Sequence, residues 1–276
     1  MHYSTNFNIL PDPEVINLAD PPIDQIKINK FPDSQINISI TNDVYGNDYV
    51  IWSRLSSYED LFKILATVDV LRHNGVLNID LFCPYILGAR SDCRFDSKGS
   101  FDLKIIADII NRLNLNNVMV YDAHSNILPA LINNCENVNS YDAFISETGF
   151  DWTDKVLISP DAGAYKKVFH LSEKLNVELI PANKVRLKDG SPKLEVYGNV
   201  TGKDCVIVDD ICDGGRTFIY LGEKLKSMGA KSVTLFVTHG IFSKGLPLQN
   251  IDKIYTTNSY QELESTDYLT VINVFE

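Results

Sequence analysis

No stretch of this 276-residue chain is apolar for the length that a membrane crossing requires, so a transmembrane span is not expected. The opening Met-His-Tyr-Ser-Thr-Asn lacks the charged-then-apolar layout of a secretory leader. Cysteine is sparse and scattered: Cys83, Cys93, Cys135, Cys205 and Cys212 are odd in number and show no metal-type pair spacing. Reduced thiols and a cytoplasmic location are therefore expected. Positive charge is also in deficit, with 25 Lys and Arg against 36 Asp and Glu, and the net charge of −11 argues against a general nucleic-acid surface. Glycine and proline are at ordinary levels, which excludes a fibrous or low-complexity chain. An acidic protein of this kind still binds nucleotides if metal ions and a few local cations offset the phosphates.

What is present is organised around Cys205 to Thr217, Cys-Val-Ile-Val-Asp-Asp-Ile-Cys-Asp-Gly-Gly-Arg-Thr. Val206 to Val208 read as a buried strand running into the carboxylates of Asp209 and Asp210. Asp213, Gly214 and Gly215 make a tight loop, and Arg216 and Thr217 lead into a helix marked by Phe218, Leu221, Leu225 and Met228. Backbone N–H groups and the positive end of a helix dipole form an anion cradle there, and adjacent carboxylates accept hydrogen bonds from the two hydroxyls of a ribose.

Elsewhere strands and helices alternate. Ile36, Ile38 and Ile40 mark a half-buried strand, Asn42 to Asn47 a turn, and Tyr49 to Trp52 a strand. Ser57 to Arg72 is a helix ended by Asn74-Gly75. A strand follows over Asn78 to Pro84, then a polar loop over Leu87 to Ser100 and a helix over Asp102 to Leu113. The strand Asn117 to Tyr121 delivers Asp122-Ala123-His124-Ser125 to its carboxyl end, and Lys155 to Ser159 delivers Pro160-Asp161-Ala162-Gly163 in the same way. Lys184 to Asn199 reads as irregular or a hairpin. Further strands are expected over Val177 to Pro181, Ser232 to His239, Lys253 to Thr257 and Tyr268 to Val274. This alternation predicts an α/β protein with two domains, 1–140 and 141–276, each a mainly parallel sheet flanked by helices. The Asn-rich stretch with Asn133, Asn134, Glu136, Asn137 and Asn139 suits a linker between them.

Val208-Asp209-Asp210 with Asp213, Gly214 and Thr217 resembles the phosphoribosyl-pyrophosphate (PRPP) loop shared by type I phosphoribosyltransferases and PRPP synthetases. The first half separates the two groups. Pro84-Tyr85 with Ala89-Arg90-Ser91-Asp92-Cys93-Arg94 resembles the ATP-binding segment of PRPP synthetases, which transferases lack. The resemblance implies that Arg90, with Asp92, meets the ATP phosphates, and that Phe31, Asp33 and Gln35 lie beside the adenine. Gln35 stands where that family has Glu, and Ser34 where it has Gly. It further implies magnesium at His124 and Asp161, a catalytic role for Lys184 and Arg186 as in the family's Lys-x-Arg loop, and ribose phosphate at Asp209, Asp210, Asp213, Gly214, Gly215, Arg216 and Thr217. Thr238-His239-Gly240-Ile241-Phe242-Ser243 resembles another family segment.

The implied activity is diphosphoryl transfer from ATP to ribose 5-phosphate with release of AMP. The implied fold is of the type I phosphoribosyltransferase kind, and the implied assembly is at least a homodimer. Two features depart from the family. Its loop reads Asp-Thr-Gly-Gly-Thr against Asp213-Gly214-Gly215-Arg216-Thr217 here, and its closing helix has no counterpart after the last predicted strand. Arg216 suits a second phosphate, which keeps open a ribose 5-diphosphate ester such as ADP-ribose as acceptor. A type I phosphoribosyltransferase and a non-catalytic regulatory homologue are the remaining alternatives.

Overall fold

A computed structural model of the protein describes residues 8–11, 26–40, 48–94, 96–141, 144–145, 148–186 and 192–274. The chain divides into two compact units at Asn139/Ser140. The expected turn at Asn42 to Asn47 lies outside the described residues.

The first unit comprises β1 (Asn8–Pro11), β2 (Ile26–Lys30), β3 (Ile36–Ile40), β4 (Asp48–Trp52), α1 (Tyr58–His73), β5 (Asn78–Phe82), α2 (Asp102–Asn111), β6 (Asn117–Tyr121), α3 (Ile127–Leu131) and β7 (Cys135–Val138). Five strands form a parallel sheet in the order β1-β4-β5-β6-β7, and β2 and β3 form a separate antiparallel ribbon. Leu61, Ile64, Val68 and Leu71 of α1 and Leu103, Ile106 and Ile110 of α2 join Ile51, Ile79, Leu81, Val118 and Val120 in one core. Ser57 caps α1 reciprocally. Its Oγ accepts the Asp60 N–H at 3.2 Å, and Asp60 Oδ2 accepts the Ser57 N–H at 2.8 Å.

The stretch read as a linker is instead β7, the edge strand beside β6. Its polar residues suit an edge, where one side of the ribbon meets water. Asn134 O accepts the Val118 N–H at 3.0 Å, and Asn137 Oδ1 accepts the Ala123 N–H at 2.8 Å.

The second unit comprises β8 (Lys155–Ser159), α4 (Ala162–Leu175), β9 (Glu178–Arg186), β10 (Pro192–Val196), β11 (Asp204–Cys212), α5 (Arg216–Ser227), β12 (Ser232–Gly240), β13 (Lys253–Thr257) and β14 (Leu269–Ile272). Its seven strands run β10-β9-β8-β11-β12-β13-β14, parallel except for β10. Period-two alternation along β11 feeds two cores. Cys205 and Ile207 pack with Phe218, Leu221 and Leu225 of α5, whereas Val206 and Val208 pack with Val168 and Leu171 of α4. A strand covered on both faces is apolar throughout, and the apolar run ends at Asp209, where β11 has outrun β8 after Ile207 while staying paired with β12 through Cys212. The hairpin expected between Lys184 and Asn199 is formed by β9 and β10, with β9 extending through Arg186.

Replacing Ser57 with Ala removes the acceptor for the Asp60 amide and is expected to destabilise the first unit by about 1 kcal/mol. A urea titration followed by Trp52 fluorescence, in a Trp152→Phe background, reads the loss. An unchanged midpoint would show that the cap contributes nothing.

Candidate active site

The register places the candidate groups of the second unit along one edge. Ile207 of β11 pairs with Ile158 of β8, so Asp209 emerges just beyond the end of β8, level with the turn that carries Asp161. Asp161 is the N-cap of α4, and its Oδ1 accepts the Ala164 N–H at 3.0 Å. Ser159 Oγ donates to Asp161 O at 2.8 Å and closes the turn. On the other side β9 pairs with β8 only as far as Pro181 and continues in the β10 hairpin. The backbone of Lys184 and Arg186 therefore overhangs the same carboxyl edge.

Carboxylates crowd here. Asp210 is buried, with 6% of its surface exposed, and its N–H donates to Asp209 Oδ1 at 3.0 Å. Burial raises the Asp209 pKa well above the ordinary aspartate value, with further increments from the charge and hydrogen bond of Asp210 and from the charge of Asp161. Cys212 is buried, and its thiol is pushed up to about 12 by burial and by the charges of Asp209 and Asp213. A thiol at that value supplies no nucleophile at neutral pH.

The loop expected to hold a phosphate follows at once. Gly215 is the N-cap of α5 in the left-handed region at φ +71°, and a Cβ there would lie 2.6 Å from Leu248 Cδ2. Both conformation and space therefore demand glycine. The first-turn amides of α5 have no intrahelical acceptor, and no acidic residue occupies that turn. Exposed Arg216 sits at its first position instead. A cation at the positive end of a helix dipole is unfavourable by about 0.3–1 kcal/mol unless an anion lies between them. The loop is thus built for an anion that it does not itself supply.

In the first unit, Phe31 to Gln35 form the tight turn of the β2-β3 ribbon. Phe31 N–H donates to Gln35 O at 2.8 Å, and Asp33 Oδ1 accepts the Gln35 N–H at 3.0 Å. Ser34 adopts φ +72°, the left-handed region that favours the glycine found at this place in the resembled family. Phe31 is 48% exposed, its ring free to stack on a planar ligand. The loop after β5 is pinned by Leu87 N–H to Leu55 O (2.7 Å), Ser91 N–H to Gly88 O (2.8 Å) and Leu103 N–H to Ser91 O (3.2 Å). It presents Arg90 exposed and Asp92 partly buried. His124 is exposed beyond the end of β6, next to Asp122 at φ +48°. Asp209, Asp210, Asp213, Gly214, Gly215, Arg216 and Thr217 are thus contiguous with Asp161. His124, Arg90 and the Phe31 turn belong to the other unit. A cavity of about 200 Å³ lined by Asn111, Asn114, Asn133 and Asn134 lies at the amino end of β6, at the opposite end of that strand from His124.

Sequence reasoning gave no role to three residues. Arg54 is only 5% exposed just after β4, although a cation directly behind an apolar strand is the same signal that marks Asp122 and Asp209. Ser243 donates through Oγ to Asp213 Oδ1, and Gln261 contacts the same region through bonds that no local pattern encodes.

The raised pKa of Asp209 carries a stability signature. The folded form binds a proton more tightly than the unfolded chain, so the stability contributed by protonated Asp209 is lost as pH rises through its folded value. Asp209→Asn is therefore expected to raise the thermal midpoint at neutral pH. The gain should vanish below about pH 4, where the unfolded aspartate is protonated as well. Scanning calorimetry at both pH values checks this, and an equal gain at both would refute it.

The chain matches known proteins over both units. A family model described as the phosphoribosyl transferase domain matches residues 131–268, and one described as the N-terminal domain of ribose phosphate pyrophosphokinase matches residues 12–113. A ribose-phosphate pyrophosphokinase of Granulibacter bethesdensis is 29% identical over 232 residues, 81% of this chain and 74% of the relative. One from Thermosipho africanus is 29% identical over 259 residues, covering 90% and 82%. The crystal structure of phosphoribosylpyrophosphate synthetase from Mycobacterium smegmatis superposes with a TM-score of 0.83 at 21% identity, covering 92% of this chain and 87% of that one, which establishes a shared fold. With a phosphoribosyl transferase domain matched in the second half and a pyrophosphokinase N-terminal domain matched in the first, the chain belongs to the ribose-phosphate pyrophosphokinase family.

Proposed function

We propose that this protein transfers the β,γ-diphosphoryl group of ATP to the anomeric hydroxyl of ribose 5-phosphate, forming PRPP and AMP. The observation that carries this reading is the contiguous edge from Asp209 to Thr217, where a carboxylate pair adjoins an unfilled helix N-terminus. One ligand with vicinal hydroxyls at one end and a phosphate at the other satisfies both. The first unit matches the N-terminal domain of a pyrophosphokinase, which a phosphoribosyltransferase would not require.

In the reaction the anomeric oxygen attacks the β-phosphorus in line. The α-to-β bridging bond breaks towards AMP, and the hydroxyl proton leaves to solvent. Asp209 and Asp210 orient the ribose by accepting from its hydroxyls, and Gly214 to Thr217 hold the 5-phosphate. Arg90, with Asp92 and the Phe31, Asp33 and Gln35 turn, holds ATP. Lys184 and Arg186 spread charge from the transferring group. No covalent intermediate forms, so positioning and charge provide the acceleration.

Magnesium fits these residues. Among the described residues no three His, Cys, Asp or Glu side chains form a cage, and magnesium is held typically by one or two carboxylates together with substrate phosphates. The mutual repulsion of Asp161, Asp209 and Asp210 is the kind of field that a divalent cation relieves. Asp161 would hold one ion and His124 another, and the bound ions would neutralise the ATP phosphates.

Arg216 favours a second reading of the acceptor, a ribose 5-diphosphate ester such as ADP-ribose, because its guanidinium can fork onto a further phosphate.

The test follows AMP formed from α-labelled ATP with magnesium, using ribose 5-phosphate, ADP-ribose or no acceptor. Turnover is expected with ribose 5-phosphate, and a strong preference for ADP-ribose would establish the second reading. The absence of AMP with either acceptor would overturn both. Lys184→Ala and Arg186→Ala are each expected to lower kcat by about two to three orders of magnitude. Arg216→Gln is expected to raise the acceptor KM while stabilising the ligand-free protein slightly. Full activity in the two alanine variants would remove these residues from the mechanism.

A further inference from the structure

The phosphate loop does not support itself. Cys212 O accepts both the Ile241 N–H (2.9 Å) and the Phe242 N–H (3.0 Å), and Asp213 O accepts the Ser243 N–H (3.2 Å). Ser243 Oγ adds a bond to Asp213 Oδ1. The segment that follows β12 therefore grips the last residue of β11 and the first of the loop. That segment is itself held in an unfavourable shape. Phe242 sits at φ +47°, and a Cβ on Gly240 would meet Phe242 Cε2 at 2.3 Å. A bulky aromatic residue in the left-handed region persists only where its surroundings over-determine it.

Phe242 O accepts the Gly245 N–H at 2.8 Å, and a further restraint on the turn comes from Gln261, about twenty residues further along. Its Nε2 donates to Gly240 O and to Ile241 O, each at 3.0 Å. Two carbonyl oxygens around one terminal atom fix it as the amide nitrogen, since the amide oxygen would be repelled by both. The neighbouring contact between His239 Nδ1 and Ser259 Oγ (2.7 Å) ties the same two segments together just before the turn.

We propose that Gln261 is a positioning residue for the sugar-phosphate loop: by holding the carbonyls of Gly240 and Ile241, it turns the amides of Ile241, Phe242 and Ser243 onto Cys212 and Asp213. This role rests on the reading of the Asp213 to Thr217 loop as the site of the acceptor phosphate. Gln261 acts through these backbone carbonyls. Its loss lets the 240–243 segment relax, which frees the Asp213 carboxylate and lets the loop drift from its phosphate-binding shape. Displacement of a binding group by a fraction of an ångström has large kinetic consequences.

The experiment uses the full-length protein with Gln261→Met, which keeps length and removes the donors. Gln261→Glu serves as a second variant that keeps polarity and places an acceptor against the two carbonyls. Amide hydrogen exchange is expected to quicken locally in peptides covering 239–245 and 213–217. The KM for ribose 5-phosphate is expected to rise by roughly tenfold, with the KM for ATP unchanged. Unchanged exchange at both segments in both variants would overturn the proposal. So would a general loosening of the second unit in which both KM values move together. If wild type fails to turn over ribose 5-phosphate while exchange still quickens in those two segments, the positioning role stands and the proposed activity falls.

Discussion

The constraint on which the second unit depends is the left-handed turn at Gly215, where β11 stops and α5 begins. It is sealed from behind by Leu248, and only a residue without a side chain satisfies both the angle and the space. Because the turn is tight, part-buried Asp209, buried Asp210 and the first-turn amides of the helix fall within one short peptide. Opposite electrostatic demands are thereby met within one short peptide. The carboxylates concentrate negative charge, and the helix end carries positive charge. The phosphorylated sugar proposed above suits both, and neither half would identify it alone.

Much of this was legible in the sequence, because the relevant signals are local. An apolar run that ends in two aspartates is a buried parallel strand reaching the carboxyl edge of its sheet. The apolar stripe of α1 and the glycines before α5 are likewise written into neighbouring positions. Ser34 shows how a departure from a motif acquires meaning from structure. The resembled family has glycine there, and the φ of +72° gives the reason.

What the sequence did not reveal depends on partners far away along the chain. β7 carries a glutamate and an asparagine in four residues and has no apolar alternation. It is a strand because β6 offers a row of amides and carbonyls to pair with. Its composition belongs to an edge, and composition alone reads as a linker. Arg54 follows an apolar run as Asp209 does, yet its near-complete burial follows from packing around the end of β4. Gln261 lies in a polar stretch indistinguishable from a solvated loop, and its bonds to Gly240 and Ile241 span about twenty residues. The overhang of β9 beyond β8 similarly depends on β10 folding back upon it.

The central claim, that the Asp209 to Thr217 edge receives a ribose 5-phosphate, is open to direct inspection. A crystal structure of the full chain grown with ribose 5-phosphate is predicted to place the phosphate within hydrogen-bond distance of the backbone amides of Gly214 to Thr217. The ribose hydroxyls should lie on Asp209 and Asp210. A well-ordered sugar phosphate bound elsewhere, with those amides facing only water, would contradict the account.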